Sequence, residues 1–205
     1  MMNTPNPTPE RQTLGSWQGV SLDIAAWDGA AADVDLSVAC MFARELDGDL
    51  RGGLLHLDNA LSGKLLRLRD EGVYTGEMGE TLLVSLPPAT VVAQAVMVIG
   101  MGDPSQWTPA TTAHAVTAAL GAAVHLGVTS AAFAPSLLDS GLAPGVTAGV
   151  APAMMKAVMR AIDAHVSIAA HGLAPAPSLR RWVFDVGAAG FSSAAAQFSA
   201  ALADR

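Results

Sequence analysis

The sequence predicts an α/β domain, a mainly parallel sheet packed between helices. Three observations carry this. The chain has 205 residues, 51% of them hydrophobic and 14% charged, enough apolar surface to offset the entropy lost on folding. From about residue 92 to the end, strand signals alternate with helix signals, the pattern of parallel strands joined by helical crossovers. Leucines 54, 57, 61, 65 and 68 recur at spacings of three and four behind a Gly52-Gly53 pair, the period of a helix with one apolar face.

In chain order, Met1 to Gln12 is rich in Pro, Asn and Thr and reads as a lead-in, with residues 1–16 expected to be disordered and the domain to occupy 17–205. Val20, Leu22, Ile24 and Ala26 alternate, as do Val34, Leu36, Val38, Cys40 and Phe42, so two strands are expected. The second is apolar on nearly both faces, which places it inside the sheet. Gly63 should split the leucine-rich helix in two. A turn-rich connector, 71–80, leads to a strand at Thr81 to Leu86, closed by Pro87-Pro88. The run 95–99 is a strand, and Thr108-Pro109 is a helix start, with Thr as cap and Pro in the first turn. That helix should end at Gly127. Then come a strand at 128–134, a loop at 135–145, a helix from Pro152, a short strand at Val166 to Ala170, a strand at 181–186 and a helix at 192–202.

Composition excludes several classes. The formal charge is -7, so phosphate backbones are repelled and nucleic acid is not an expected partner. Cys40 is the one cysteine and lies in an apolar run. It is read as a buried strand thiol, and neither an internal disulfide nor a cysteine zinc site can form. No basic segment followed by an apolar stretch opens the chain, so no signal peptide is read there. The uncharged run Pro104 to Leu138 is broken by Pro109, Gly127 and Pro135, which argues against a membrane span. A cytoplasmic protein is expected. His56, His114, His125, His165 and His171 form no ligand pair by spacing. Acidic residues thin out after Asp103, leaving Asp139, Asp163, Asp185 and Asp204, so no dense carboxylate cluster for a metal is expected. Gly100-Met101-Gly102 follows a strand but lacks the third glycine of a dinucleotide fingerprint, and Asp103 would oppose a phosphate. Ser136, Asp139 and Ser140 sit in no nucleophile elbow. No catalytic residue, metal ligand or cofactor is assigned.

Leu61-Ser62-Gly63-Lys64-Leu65, the connector Glu71 to Leu83 with Gly76, Gly79 and Glu80, and the strand Ala95 to Gly102 ending in Gly100 and Gly102 follow in one order. This order resembles the amino-terminal domain of the cytosolic leucyl aminopeptidases over roughly residues 20–165. The resemblance implies a macro-domain-like fold, three α/β/α layers around a mixed, mainly parallel sheet. It also implies that chemistry belongs to a separate metal-binding domain. Neither Lys64 nor Lys156, the only lysines, sits in that domain's glycine-flanked metal motif, and its Asn-Thr-Asp-x-Glu-Gly-Arg signature is absent. The closing strand and helix, 180–202, look like the end of a macro domain, so the domain is expected to be whole.

A non-catalytic module for interaction, assembly or regulation is therefore expected. Its partners would be a second copy of the chain or an aminopeptidase-like protein. The alternative is a small ligand of the ADP-ribose or nucleotide kind. The macro resemblance implies that a diphosphate would lie between the loops 49–53 and 136–145, on backbone N–H groups and a helix amino-terminus. The candidate ligand residues are Gly52, Gly53, Ser136, Asp139, Ser140, Gly141 and Gly145. Two departures stand against it: the macro domain's Asn-Ala-Ala-Asn run is replaced by Cys40-Met41-Phe42-Ala43, and Asp49 and Asp139 put negative charge near the phosphates. A retained peptidase activity is the third and least expected reading.

Overall fold

Alternating apolar residues give β2 (Val20–Ala25) and β3 (Leu36–Met41), and both are almost wholly buried. The computed structural model describes residues 10–46, 48–143 and 145–204. Residues 1–9 of the expected lead-in, and Asp47 and Pro144 of the expected loops, lie outside them. The remaining elements are β1 (Arg11–Trp17), α1 (Gly52–Ala60), α2 (Lys64–Asp70), β4 (Thr81–Val84), β5 (Ala95–Gly100), α3 (Pro109–His125), β6 (Ser130–Ala134), α4 (Val150–Ala170), β7 (Arg181–Asp185) and α5 (Gly187–Ala203).

The seven strands form one sheet in the order β1-β2-β7-β6-β3-β5-β4. The five inner strands are parallel, while β1 and β4 run antiparallel at opposite edges. The sheet is therefore mixed and mainly parallel, as expected, with β3 inside it. The pleat sends alternate residues to opposite faces. Leu22, Val38, Cys40, Phe133, Trp182 and Phe184 pack beneath α3, α4 and α5. Ala39, Met41, Val96, Val98 and Val183 face α1 and α2 through Leu54, Leu57, Leu61, Leu65 and Tyr74. Cys40 is fully buried, and desolvation pushes its thiol well above the usual range.

Four expectations are corrected. Residues 11–16 belong to β1, whose register with β2 runs from Arg11 to Trp17; the Trp17 indole donates to Asp163 at 2.9 Å and ties this strand to α4. There is no strand at 166–170. The helical period of Met155, Val158 and Ile162 continues through a partly buried Val166, and the helix ends only before Gly172. β-Branched Val166 and Ile168 suggested a strand, but packing against the core outweighs that propensity. The last helix begins at Gly187, five residues earlier than expected, because small residues give little periodic signal. The strand expected at 81–86 stops at Val84.

Two helix starts follow local chemistry. Thr108 and Thr111 form a capping box around Pro109. Gly63 is left-handed (φ 73°), separating α1 from α2. The α2 amino-terminus is then closed from outside its own sequence: buried Asp58, on α1, accepts from the Leu65 N–H at 2.8 Å and the Leu66 N–H at 3.3 Å. Asp58→Ala is expected to cost about 1–2 kcal/mol, the upper range for a lost helix cap, read from urea denaturation midpoints.

Candidate ligand crevice at the carboxyl edge of the sheet

Five parallel strands point their carboxyl ends the same way, so the loops after β2, β3, β5, β6 and β7 gather at one edge. In open α/β sheets this is where ligands bind. The loop after β2 carries Trp27, Asp28 and Gly29, and that after β7 leads from Asp185 straight into α5. The loop after β6 contains a single 3-10 turn, Leu138–Ser140. α1 begins beside it.

The 3-10 turn is held between two left-handed residues, Ser136 (φ 51°) and Gly141 (φ 90°). Ser136 is buried, and its carbonyl accepts from the Ser140 hydroxyl at 3.3 Å. The Ser140 carbonyl accepts from the Leu46 N–H at 3.1 Å. Both serines thus brace the turn. What the turn presents is Asp139. Its Oδ2 accepts from the Leu54 N–H at 3.1 Å, beside Gly53. This amide belongs to the first turn of α1, whose own cap residue, Arg51, makes no side-chain capping bond to the helix. The first turn of a helix leaves N–H groups unpaired and carries positive partial charge. Asp139 answers both.

Gly52 is essential to this contact. Its φ is +58°, and a Cβ there would overlap the Asp139 carboxylate. Gly52→Ala is expected to lower stability by about 2 kcal/mol, from backbone strain and the displaced carboxylate, measured by urea denaturation. Burial pushes the Asp139 carboxyl above its ordinary range, against the Leu54 and Gly53 amides and His56, which lower it. His56 Nδ1 stands 3.7 Å from Asp28 Oδ2.

A second carboxyl lies deeper. Asp185 ends β7 and is 5% exposed. Its Oδ2 accepts from the Gly29 N–H at 3.2 Å and Oδ1 from the Gly187 N–H at 3.3 Å. Burial pushes its pKa up to about 7; those amides pull it down, and nearby Asp28 raises it further. Sequence reasoning missed Asp185. The available signal was a carboxylate closing an apolar parallel strand, Trp182-Val183-Phe184-Asp185, two residues before a glycine.

Of the expected ligand residues, Gly52, Gly53, Ser136, Asp139, Ser140 and Gly141 do converge. Gly145 does not join them; it is exposed, with nothing within 4 Å of where a Cβ would stand. Gly100-Met101-Gly102 leads into a short 3-10 turn, Pro104–Gln106, and not into a helix. Asp103 caps that turn through the Ser105 N–H at 2.8 Å and pairs with Arg44 at 2.9 Å. The Ser105 amide, with Arg44, holds its carboxyl below the usual range. One histidine pair unseen in the spacing is formed: the rings of His125 and His165 meet edge to face at 6.0 Å. Among the described residues no group of three or more His, Cys, Asp or Glu is placed to hold a metal ion, and no helix is long and apolar enough to cross a membrane. A separate groove between α4 and α5, lined by Lys156, Arg160 and Asp163, includes none of the candidate residues.

The fold is similar to that of a tomato leucine aminopeptidase mutant, with a TM-score of 0.61 and 18% identity, covering 89% of this chain and 35% of that one. The chain thus spans about a third of that enzyme's length. It is also similar to the Oceanobacillus iheyensis macrodomain with ADP (TM-score 0.58, 12% identity, 96% of this chain and 97% of that one). The Trypanosoma brucei macrodomain in complex with ADP-ribose gives a TM-score of 0.59 at 16% identity, covering 90% of this chain and 69% of that one. No curated protein matches the sequence. The family model of the cytosol aminopeptidase family, N-terminal domain, matches residues 45–162. That span is more than half of the chain and holds α1, the glycine connector and the Asp139 turn, and the chain belongs to this N-terminal domain family.

Proposed function

We propose that this domain is a non-catalytic cytoplasmic module for interaction and assembly, whose macro-type crevice is closed by its own Asp139. The observation that carries the reading is the Asp139 carboxylate on the Leu54 amide, at the first turn of α1. That N–H is one a bound phosphate would need, and it is already satisfied. An incoming phosphate must displace a carboxylate whose loss re-exposes a helix-end donor. The serines of the turn bond to backbone, which argues against a hydrolytic role. With leucine p-nitroanilide and manganese or zinc, purified protein is expected to give no turnover above buffer; sustained turnover would falsify the reading.

A second reading has one observation in its favour. Asp139 is itself an anion seated on the first turn of α1, so the seat accepts anionic oxygen. A diphosphate ligand of the ADP-ribose kind would compete for it. On this reading Asp139→Ala binds where the native chain does not.

A further inference from the structure

The two edges of the sheet are finished differently. β1 begins at Arg11, is bulged between Thr13 and Gly15, and has Leu202 of α5 packed against Gly15. Charges, bulges and cover are the devices that keep an edge from pairing. β4 has none of them within Thr81–Val84; its one irregularity, Gly79 and Glu80 both opposite Gly100, lies before its first residue. It pairs with β5 without a register shift, and no charged residue occurs from Thr81 to Gly102.

The ladder phase shows which β4 groups are open. The Gly100 N–H donates to the Glu80 carbonyl at 2.7 Å. In an antiparallel pair the bonded positions alternate, so Leu82 and Val84 bond to Val98 and Val96. Thr81 and Leu83 therefore turn their N–H and C=O groups outward. Large apolar side chains are exposed around them: Leu83 at 46%, Leu86 at 91%, Met78 at 55% and Val92 at 56%.

We infer that a second copy of this chain pairs on this edge, β4 against β4, antiparallel about a two-fold axis. The inference rests on the assembly reading above and names its partner. Charge selects the partner. Each chain carries -7, so two copies repel over much of their surface, and this uncharged rim lets them meet without like charges opposed. Symmetry supports it as well. An antiparallel edge is self-complementary: Thr81 of one copy faces Leu83 of the other, with Leu82 near the axis. Pro87-Pro88 keeps the paired segment short, and the guarded β1 edge stops growth at two chains.

Sedimentation velocity on the whole chain, from low to high micromolar, tests this. A dimer is expected, with amide exchange at Thr81 and Leu83 slowing as it fills. Leu83→Pro removes an outward N–H without touching the β5 ladder, and Thr81→Lys places like charges on the rim. Each is expected to weaken dimerisation about tenfold or more, with far-UV circular dichroism unchanged. If Leu83→Pro fails to fold, Thr81→Lys decides alone. A native chain that stays monomeric, or a dimer that survives the substitutions, overturns the pairing. Either result leaves the closed crevice standing, because turnover and ADP-ribose binding are read independently.

Discussion

Asp185→Asn is expected to be more stable than the native chain at pH 8, by about 2 kcal/mol or more, and to lose most of the pH dependence between pH 5 and 8. The sign follows from linkage. The Asp185 carboxyl is raised from an ordinary value of 3.8 to about 7. The folded state therefore holds its proton where the unfolded state releases it, so the neutral form's advantage is complete below 3.8 and is lost as pH rises through 7. A gap of about three pH units corresponds to an order of 4 kcal/mol. Asparagine mimics the neutral acid, keeping one acceptor for the Gly29 or Gly187 amide. Asp139 is raised too, by burial, and adds a slope of the same sign in both proteins. The difference between variant and native chain isolates Asp185. Urea denaturation at pH 5 and pH 8 measures it; equal differences at the two pH values would contradict the buried-acid account. At the acid end the slope reverses. Asp35, held down chiefly by the Thr129 hydroxyl, and Glu80, held down chiefly by the Thr75 hydroxyl, lose their contributions as pH falls below the ordinary carboxylate range. Greatest stability is expected near pH 4–5.

Gly100→Ala is expected to cost about 3 kcal/mol or more. A Cβ there would run into the Glu77 carbonyl and the Gly76 backbone, and backbone cannot swing aside as a long side chain can. The connector around it is tightly bonded. One oxygen of Glu80 accepts from the Thr75, Gly76 and Glu77 amides and from the Thr75 hydroxyl. The Gly76 carbonyl takes the Gly102 N–H at 2.8 Å, and the Gly100 carbonyl takes the Gly79 N–H at 2.9 Å. The glycines and glutamate that mark the family in sequence are thus parts of one knot, pinning the connector over the end of β5. Thermal and urea denaturation of Gly100→Ala read the cost; native-like stability would mean that the connector yields more easily than its bonding implies.

The fold was legible because two periods, of two and of three to four residues, are written in strong apolar residues such as Val38, Cys40, Phe42 and the leucines of α1 and α2. Caps and breaks at Thr108, Gly63 and Gly127 marked boundaries well. Where side chains are small or ambiguous, legibility failed: α5 starts in Gly187-Ala188-Ala189, and Val166 and Ile168 favour strands until packing against the core is known. β1 was hidden because its seven residues are mostly exposed and are held by a long-range partner, Asp163. At the crevice, the sequence marks the charge of Asp139 as an obstacle to phosphate. Its actual place, on an amide of a helix 85 residues away, is set by tertiary structure that no spacing encodes. Asp185 does carry a local signal, a carboxylate closing an apolar strand, but its Gly29 partner lies 156 residues away.

The closed crevice is tested most directly by calorimetric titration of ADP-ribose into the native chain and into Asp139→Ala, side by side. The native chain is expected to give no binding heat at millimolar ligand, because its own carboxylate holds the Leu54 amide at the first turn of α1. Heat from Asp139→Ala alone would show that the seat beneath is of the macro type. Saturable binding by the native chain, unchanged when Asp139 is removed, would contradict the account.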